Sequence, residues 1–184
     1  MKKVLSSLLA IAISLPFYAN ADVAEERVEI KEMRQEILTR LYQEEPSTKD
    51  KIASAAGYAT FSNIGINLLL VSTGNGSGIV KNNDTGKETY MSMFSAGVGI
   101  GLGVKDFSAV FIFHSEDALN AFIEDGWDFS GQADAAAKSG DKGGEGSKAG
   151  TAVDGVEIYQ MTENGLALQA TLQGTKYWVD EDLN

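Results

Sequence analysis

The stretch that most constrains the fold runs from Phe94 to Phe129. In its first part glycine stands at every second position from Gly97 to Gly103, with apolar residues between. A period of two predicts a β-strand, and the bare glycine face allows another backbone or an aromatic ring to lie close against it. The continuous apolar run at 109–113 predicts a second strand.

A helix is predicted directly after the second strand. Ser115 is placed to cap its start, and Gly126 is placed to end it. The residues expected to form its buried stripe are Leu119, Phe122 and Ile123. We therefore expect a helix at about 116–124 that packs on the sheet.

The glycine run does not predict a nucleotide site. A dinucleotide fingerprint has the spacing Gly-x-Gly-x-x-Gly between a strand and a helix, where phosphate meets the helix N-terminus. Here the spacing is Gly-x-Gly-x-Gly-x-Gly, and a second strand follows. We expect neither this cofactor nor any other.

The first 21 residues have the pattern of a signal peptide. Lys2 and Lys3 precede an apolar run, and Ala19-Asn20-Ala21 predicts cleavage after Ala21. The run is shorter than the ~20 residues that span a bilayer. The chain has no cysteine, so a lipoprotein anchor is not expected. These features predict a periplasmic or secreted protein.

The charge of the chain limits the classes of ligand that it is expected to bind. The formal net charge is −11, and it becomes −13 when Lys2 and Lys3 leave with the signal peptide. Nucleic acid binding depends on cationic groups, so it is not expected. A broad basic face for anionic lipid is also not expected. Contact with a membrane would need apolar residues or a local cationic cluster.

The segment 22–46 contains a predicted amphipathic helix from Asp22 to Gln43, capped by Asp22. Its apolar stripe has helical spacing and consists of Ile30, Met33, Ile37 and Leu41. Two interpretations are open, a helix that packs on the domain and a helix that contacts lipid or a partner. Because the segment is rich in glutamate, whereas surface-bound lipid helices are usually rich in Lys and Arg, we favour packing.

Candidate lipid-contact residues follow from the second interpretation. If the helix detaches, the four stripe residues would enter the lipid. The cations beside them would meet the head groups, namely Lys31, Arg34 and Arg40.

The remaining chain, 47–184, is predicted to form one domain of about 140 residues. Ser47 to Asp50 has the spacing of a capping box, for a short helix that Gly57 would end. Asn75-Gly76 and 82–86 predict two hairpin turns. Further strands are expected at 58–61, 66–72, 79–81, 88–93, 156–162, 166–173 and 177–179. The Gly-rich stretch 138–150 is expected to be a mobile loop.

Catalytic chemistry is not indicated. His114 is the only histidine, cysteine is absent, and no nucleophile elbow or phosphate-binding loop occurs. The acidic run 180–182 is most simply a solvated surface. We predict no catalytic residue, no metal site and no enzyme; a hydrolase that uses carboxylates is the last-ranked hypothesis.

Several motifs, in the same order, resemble those of the SYLF domain family. The segment 57–65, Gly-Tyr-Ala-Thr-Phe-Ser-Asn-Ile-Gly, is similar to the family's opening motif. The Gly-rich strand, the apolar strand and the helix follow, and then Gly-Trp-Asp-Phe at 126–129. The closing element looks like 165–174, so the resemblance spans Ser47 to Trp178.

The resemblance implies a lipid-binding domain without enzymatic activity. Eukaryotic members look like phosphoinositide binders that also act on actin, whereas bacterial members are exported. The acidic helix at 22–43 departs from the basic character of eukaryotic members, so neither phosphoinositide nor actin binding is expected. Ser62 in place of proline is a minor departure, and 67–72 is less glycine-rich than in the family.

The sequence thus predicts a single α+β domain with a curved, mainly antiparallel sheet or barrel, N-terminal helices and the 116–124 helix packed on it. The leading hypothesis is a lipid- or membrane-binding protein of the periplasm or envelope. The alternative is a structural or protein-interaction module of the envelope without a lipid ligand.

Overall fold

The computed structural model describes residues 15–68, 71–98, 107–128, 151–153, 155–162, 165–166 and 174–184. The helices in this part are α1 (Leu15–Glu44), α2 (Thr48–Ser54) and α3 (Glu116–Asp125). The strands are β1 (Gly57–Leu68), β2 (Val71–Asn82), β3 (Glu88–Val98), β4 (Phe107–Phe113), β5 (Trp127–Asp128), β6 (Thr151–Val153), β7 (Val156–Thr162), β8 (Gly165–Leu166) and β9 (Thr175–Val179).

The nine described strands form one sheet in which every described pairing is antiparallel. The strand order is β5-β9-β3-β2-β1-β4-β7-β6, and β8 pairs with β7. Four of the eight described pairings join consecutive strands, as short connections favour, and the other four join strands that are distant in sequence. The predicted single α+β domain is confirmed.

The sheet curls strongly. Phe61 on β1 and Tyr177 on β9 are three strands apart in the sheet order, yet their ring centroids lie 4.8 Å apart. Phe111 and Trp127 are five strands apart, with centroids at 5.5 Å. In a flat sheet these separations would be roughly 14 and 24 Å. These rings therefore meet across a concave face, and the sheet is a half-barrel.

Both faces of the sheet are covered. On β4, Ala109, Phe111 and Phe113 belong to the core on the concave face, which Leu119 and Phe122 of α3 close. Val110 and Ile112 point to the convex face, where they pack against α1 and α2. A strand buried on both sides needs apolar residues at every position, which explains the continuous run at 109–113.

Helix α3 has the predicted caps. The Ser115 hydroxyl accepts a hydrogen bond from the Ala118 N–H at 3.3 Å, and the helix ends at Gly126 with φ +64°. A Cβ at Gly126 would lie 2.3 Å from the Tyr177 carbonyl oxygen. Glycine is required there for both its conformation and its size.

The predicted turn at Asn75-Gly76 is wrong. Both residues lie inside β2, opposite Ile64 and Asn63 of β1. Leu68 pairs with Val71, so the chain reverses within the segment 66–72 that was predicted as one strand. That prediction is wrong, because 66–68 extend β1 and 71–72 begin β2. The glycines of β2 alternate because they leave the concave face bare for side chains of β1 and β3.

The turn predicted at 82–86 is confirmed. It joins β2 to β3, with the Asn82 N–H donating to the Lys87 carbonyl at 3.0 Å. The Asn82 side-chain oxygen accepts from the Thr85 N–H at 2.7 Å. Gly86 has φ +74°, as a glycine in a tight turn often does.

The predicted capping box before α2 is wrong. Ser47 makes no side-chain cap hydrogen bond, because its hydroxyl donates to the Glu45 carboxylate at 2.6 Å instead. The Thr48 hydroxyl donates back to the Glu45 carbonyl at 2.7 Å. Gly57 does not end this helix either, since α2 stops at Ser54 and Gly57 begins β1.

Helix α1 begins at Leu15 and runs through the predicted cleavage site, so Asp22 lies within it rather than capping it. Cleavage after Ala21 would leave Asp22 at its start. The predictions for the glycines at 99–103, the loop 138–150 and most of the strand 166–173 fall outside the described residues.

Candidate functional site at the interface of helix α1 and the convex face

The last two turns of α1 pack on the convex face over β4 and β7. Ile37 and Leu41 are 6% and 0% exposed. Their cluster also contains Ile52, Ala55, Val110, Ile112, Tyr159 and Met161. Burying side chains of this size stabilises the docked helix by ~1.5–3 kcal/mol each.

The preceding part of α1, 23–33, packs on a smaller cluster. Ile30, 2% exposed, contacts the group formed with Ile79, Tyr90 and Leu183. Met33 is partly buried and packs against both clusters. The four stripe residues thus lie along one continuous interface between α1 and the convex face, which we call the seam. This agrees with the interpretation that the helix packs on the domain. Contact of this stripe with lipid would require α1 to leave the sheet.

The opposite face of α1 is acidic and exposed. The glutamates on it are Glu25, Glu26, Glu29, Glu32 and Glu36. The helix therefore presents an anionic surface outward and keeps its apolar surface against the domain.

Glu88, at the start of β3, contacts three basic residues at this seam. Its Oε1 accepts a hydrogen bond from Arg34 Nη1 at 2.7 Å, and its Oε2 lies 3.2 Å from Lys31 Nζ. Lys81 of β2 places Nζ 3.6 Å from Oε1. We call these four residues the Glu88 cluster. Two of its cations belong to the predicted lipid-contact set.

The electrostatics of the cluster favour the ionised carboxylate. Burial of Glu88 opposes ionisation, but hydrogen bonds from Arg34 and Lys31 outweigh it and lower the pKa from 4.5 to about 2. The pKa of Lys31 is raised, chiefly by its hydrogen bond to Glu88. Glu88 therefore stays charged at any neutral or mildly acidic pH.

The third predicted cation, Arg40, is held at the other end of the helix. Its guanidinium donates to the Thr162 carbonyl of β7 and lies 3.7 Å from Glu44. Glu44 in turn accepts a hydrogen bond from the Leu166 N–H of β8 at 3.4 Å. Lys31, Arg34 and Arg40 thus all have partners within the domain, and they do not form one cluster.

The last residues of the chain fasten the amino-terminal half of α1. Leu183 is 2% exposed, and its carbonyl accepts a hydrogen bond from Arg27 Nε at 2.9 Å. The Asn184 side chain pairs with the backbone of Tyr90 on β3, accepting from its N–H at 3.0 Å and donating to its carbonyl at 2.8 Å. We call residues 180–184 the C-terminal clasp.

Asp180 shapes this clasp. One carboxylate oxygen accepts from the N–H groups of Asp182 and Leu183, at 3.1 and 3.2 Å. The other accepts from the Ser92 hydroxyl at 2.5 Å. The prediction that 180–182 is a solvated surface is therefore wrong for Asp180, although Glu181 and Asp182 are exposed.

A second polar cluster joins α2 to β7. Lys51 Nζ donates to Glu157 at 2.7 Å and to the Tyr159 hydroxyl at 2.9 Å, and that hydroxyl donates to Glu157 at 2.5 Å. His114 Nε2 lies 3.6 Å from the same carboxylate, with half of the side chain exposed. Each of these side chains has a partner within the domain. We therefore interpret the cluster as a structural contact that holds α2 on β7.

Neither a metal centre nor a membrane-spanning helix occurs in the described part of the chain. No three His, Asp or Glu side chains there are arranged to hold a metal ion. Among the same residues, no helix combines the length and apolar character needed to cross a bilayer.

Sequence reasoning missed Glu88 and the C-terminal clasp. Arg34 and Glu88 are 54 residues apart, and Arg27 and Leu183 are 156 apart. No local pattern reports such a contact. The only available sign was the alternation at the start of β3, where Glu88 and Tyr90 share a face.

The fold and this seam define a class of protein: a curled α+β domain that carries an amphipathic helix on its convex face. Residues 94–184 match the family model described as Ysc84, Las17-binding protein actin regulator. Over 161 residues the chain is 39% identical to Beta cell expansion factor A of Aeromonas veronii. This match covers 86% of the chain and 59% of the relative. The chain belongs to the Ysc84 (SYLF) family.

Proposed function

We propose that this protein is a non-enzymatic lipid- or membrane-binding protein, exported to the periplasm or beyond. One observation carries the proposal: α1 keeps a continuous apolar stripe and two flanking cations, Lys31 and Arg34, against the convex face, while the described pairings of the sheet are made between strands. Membership in a lipid-binding or actin-regulating family supports it, and the predicted signal peptide supports export.

Opening of α1 changes the surroundings of both the stripe and the convex face. Moving the stripe from protein into lipid exchanges one apolar environment for another, so the stripe itself loses little. The uncovered convex face, with Val110 and Ile112, would then face water at considerable cost. We therefore propose that the opened face also lies against the lipid, so that both sides of the seam remain away from water.

Flotation with vesicles tests the proposal. The full chain is mixed with vesicles of uncharged phosphatidylcholine, and with vesicles that contain anionic phosphatidylglycerol, and the bound fraction is measured. Saturable binding is expected. A failure to bind across these and several other lipid classes, together with no lipid adduct in native mass spectrometry, would contradict it.

A matched pair of variants tests the stripe. Ile37→Asp places a charge in the seam, whereas Val28→Asp places the same charge at a position of α1 that is 54% exposed. We expect the first to abolish vesicle binding and the second to preserve it. Tryptophan fluorescence, from Trp127 in the concave core and from the exposed Trp178, reports whether the body stays folded. If Ile37→Asp unfolds the body, the stripe serves as core.

The acidic face of α1 favours the alternative function. Its five exposed glutamates suit a basic partner protein of the envelope. Cross-linking in cells and identification of the captured protein test this module. Although the family description names an actin regulator, we do not propose actin for this chain, since its helix lacks a basic surface.

A further inference from the structure

Glu88 sits where an anionic ligand of helix α1 would sit. It accepts from Arg34 at 2.7 Å and lies within 3.2 Å of Lys31, the two cations that flank the stripe around Ile30 and Met33. A carboxylate and a phosphate make the same kind of charge-assisted hydrogen bond to guanidinium and ammonium groups.

We propose that Glu88 is an internal anion that holds α1 on the sheet, and that the phosphate of an anionic lipid displaces it from Lys31 and Arg34. This inference rests on the proposed function and adds its regulation. Glu88 then sets how much anionic lipid is needed before the helix opens.

Exposure gives the order of events. The Lys31 side chain is 45% exposed, whereas that of Arg34 is 13% exposed. A phosphate at the surface therefore reaches Lys31 first. Arg34 becomes available only when the helix begins to move, which couples its exchange from Glu88 to phosphate to the release of the stripe.

Lys81 makes this exchange reversible. It belongs to β2, so it stays with the sheet when α1 leaves, and its Nζ lies 3.6 Å from Glu88. Lys81 is itself fixed by a hydrogen bond to the Gly86 carbonyl at 2.7 Å. Glu88 thus keeps one cation in the open state and is not left as an unpaired charge, whose cost would otherwise oppose opening.

The other end of the helix has no equivalent device. Arg40 donates to a backbone carbonyl and pairs with Glu44 of its own helix. A lipid phosphate there would have to take Arg40 from an uncharged backbone carbonyl of the sheet and from a carboxylate that moves with the helix. The geometry therefore places the first opening in the part of α1 around Lys31 and Arg34.

The test compares Glu88→Gln with Glu36→Gln. Both remove one negative charge, but Glu36 is exposed on the outer face of α1. Binding is measured on vesicles of phosphatidylcholine with increasing fractions of phosphatidylglycerol. We expect Glu88→Gln to lower the half-saturating lipid concentration on uncharged vesicles about tenfold, the effect of losing one charge-assisted network, and to flatten the dependence on anionic lipid. Glu36→Gln should keep the wild-type dependence.

A charge exchange provides the second variant. In Arg34→Glu combined with Glu88→Arg, the acid moves to the helix and the cluster keeps its total charge. This pair should hold the helix closed again, so that the binding curve lies at or below that of wild type. Urea unfolding followed by tryptophan fluorescence shows whether Glu88→Gln is stable enough to use. If it is not, the charge exchange alone tests whether the pair of residues 34 and 88 holds the helix closed.

The outcomes separate the two proposals. If the wild-type chain binds no vesicle, the proposed function fails. If the wild-type chain binds but Glu88→Gln has the same curve, the function stands and the inference about Glu88 is overturned. A charge exchange that binds uncharged vesicles as well as Glu88→Gln does would overturn it equally.

Discussion

The ring of Phe61 lies over Gly78, the residue directly opposite it on β2. A Cβ at Gly78 would stand 2.2 Å from Phe61 Cδ1 and 2.5 Å from the Thr60 carbonyl oxygen. Phe61 is fully buried and contacts Phe111, Phe122 and Tyr177. The absence of a side chain at Gly78 is therefore what allows this ring to lie flat against the sheet at the centre of the concave core.

Gly78→Ala should destabilise the domain by about 1–3 kcal/mol, because the ring or the backbone must move in a densely packed core. Urea unfolding followed by tryptophan fluorescence measures the loss. Ser77→Ala is the control, since it alters the neighbouring residue of the same strand on the other face. Equal midpoints for the two variants would contradict this account of Gly78.

This contact explains why the turn predicted at Asn75-Gly76 is wrong. Glycine alternates at Gly74, Gly76 and Gly78, as in a strand with one bare face, but the Asn-Gly pair is a strong local turn signal. Packing against Phe61, far away in sequence, outweighs that local preference.

The candidate site was predictable only in part, because only some of its features are local in sequence. Helical periodicity identified the stripe of α1, because the period of an amphipathic helix is local. It could not show what the stripe covers, nor that Lys31 and Arg34 meet Glu88. Those contacts depend on how β3 is placed by the curl of the whole sheet.

Leu41→Ala should cost about 2–5 kcal/mol, since the residue is fully buried in the seam and the sheet beneath cannot close the cavity completely. Unfolding in urea is the measurement, and Val28→Ala, at an exposed position of the same helix, should change stability by less than ~0.5 kcal/mol.

The shape of the Leu41→Ala transition carries further information. A single transition at lower urea would show that α1 unfolds with the sheet. A separate early transition would show that α1 detaches as a unit, which the proposed opening requires to be accessible. No change in either feature would contradict the packing of Leu41 in the seam.

The Glu88 cluster predicts a specific dependence on pH. The pKa of Glu88 is about 2 in the folded chain and 4.5 without its partners, so the unfolded chain binds the proton more readily. The stabilisation is therefore complete above pH 4.5 and is lost as the pH falls through 2. The full difference corresponds to about 3 kcal/mol, and solvent at the 23% exposed side chain reduces our expectation to about 1–2 kcal/mol.

The measurement is the difference in unfolding free energy between wild type and Glu88→Gln, taken at pH 7 and at pH 2.5. Other carboxylates titrate in both proteins, so their contributions cancel in the difference. The difference should shrink at the lower pH. A difference that stays constant would show that Glu88 acts through packing and not through its charge.

Asp180→Ala should loosen the C-terminal clasp. Without the carboxylate, the N–H groups of Asp182 and Leu183 lose their acceptor and the Ser92 hydroxyl loses its partner. Such losses at a partly buried site cost about 1–3 kcal/mol. Leu183 should then leave the cluster that supports Ile30, so that α1 is held less firmly around Ile30.

Amide hydrogen exchange at the backbone N–H of Tyr90 measures this loosening of the clasp. The Tyr90 N–H donates to the Asn184 side chain, and it should exchange faster in Asp180→Ala, because Asn184 is positioned by the clasp. Asp182→Ala, which removes an exposed carboxylate two residues further on, should leave it protected. Tyr90 and Glu88 share a face of β3. If Asp180→Ala both speeds exchange at Tyr90 and tightens vesicle binding, then opening of the clasp and release of α1 from the Glu88 cluster are coupled. Faster exchange without any change in binding would make the clasp a support of the sheet edge alone.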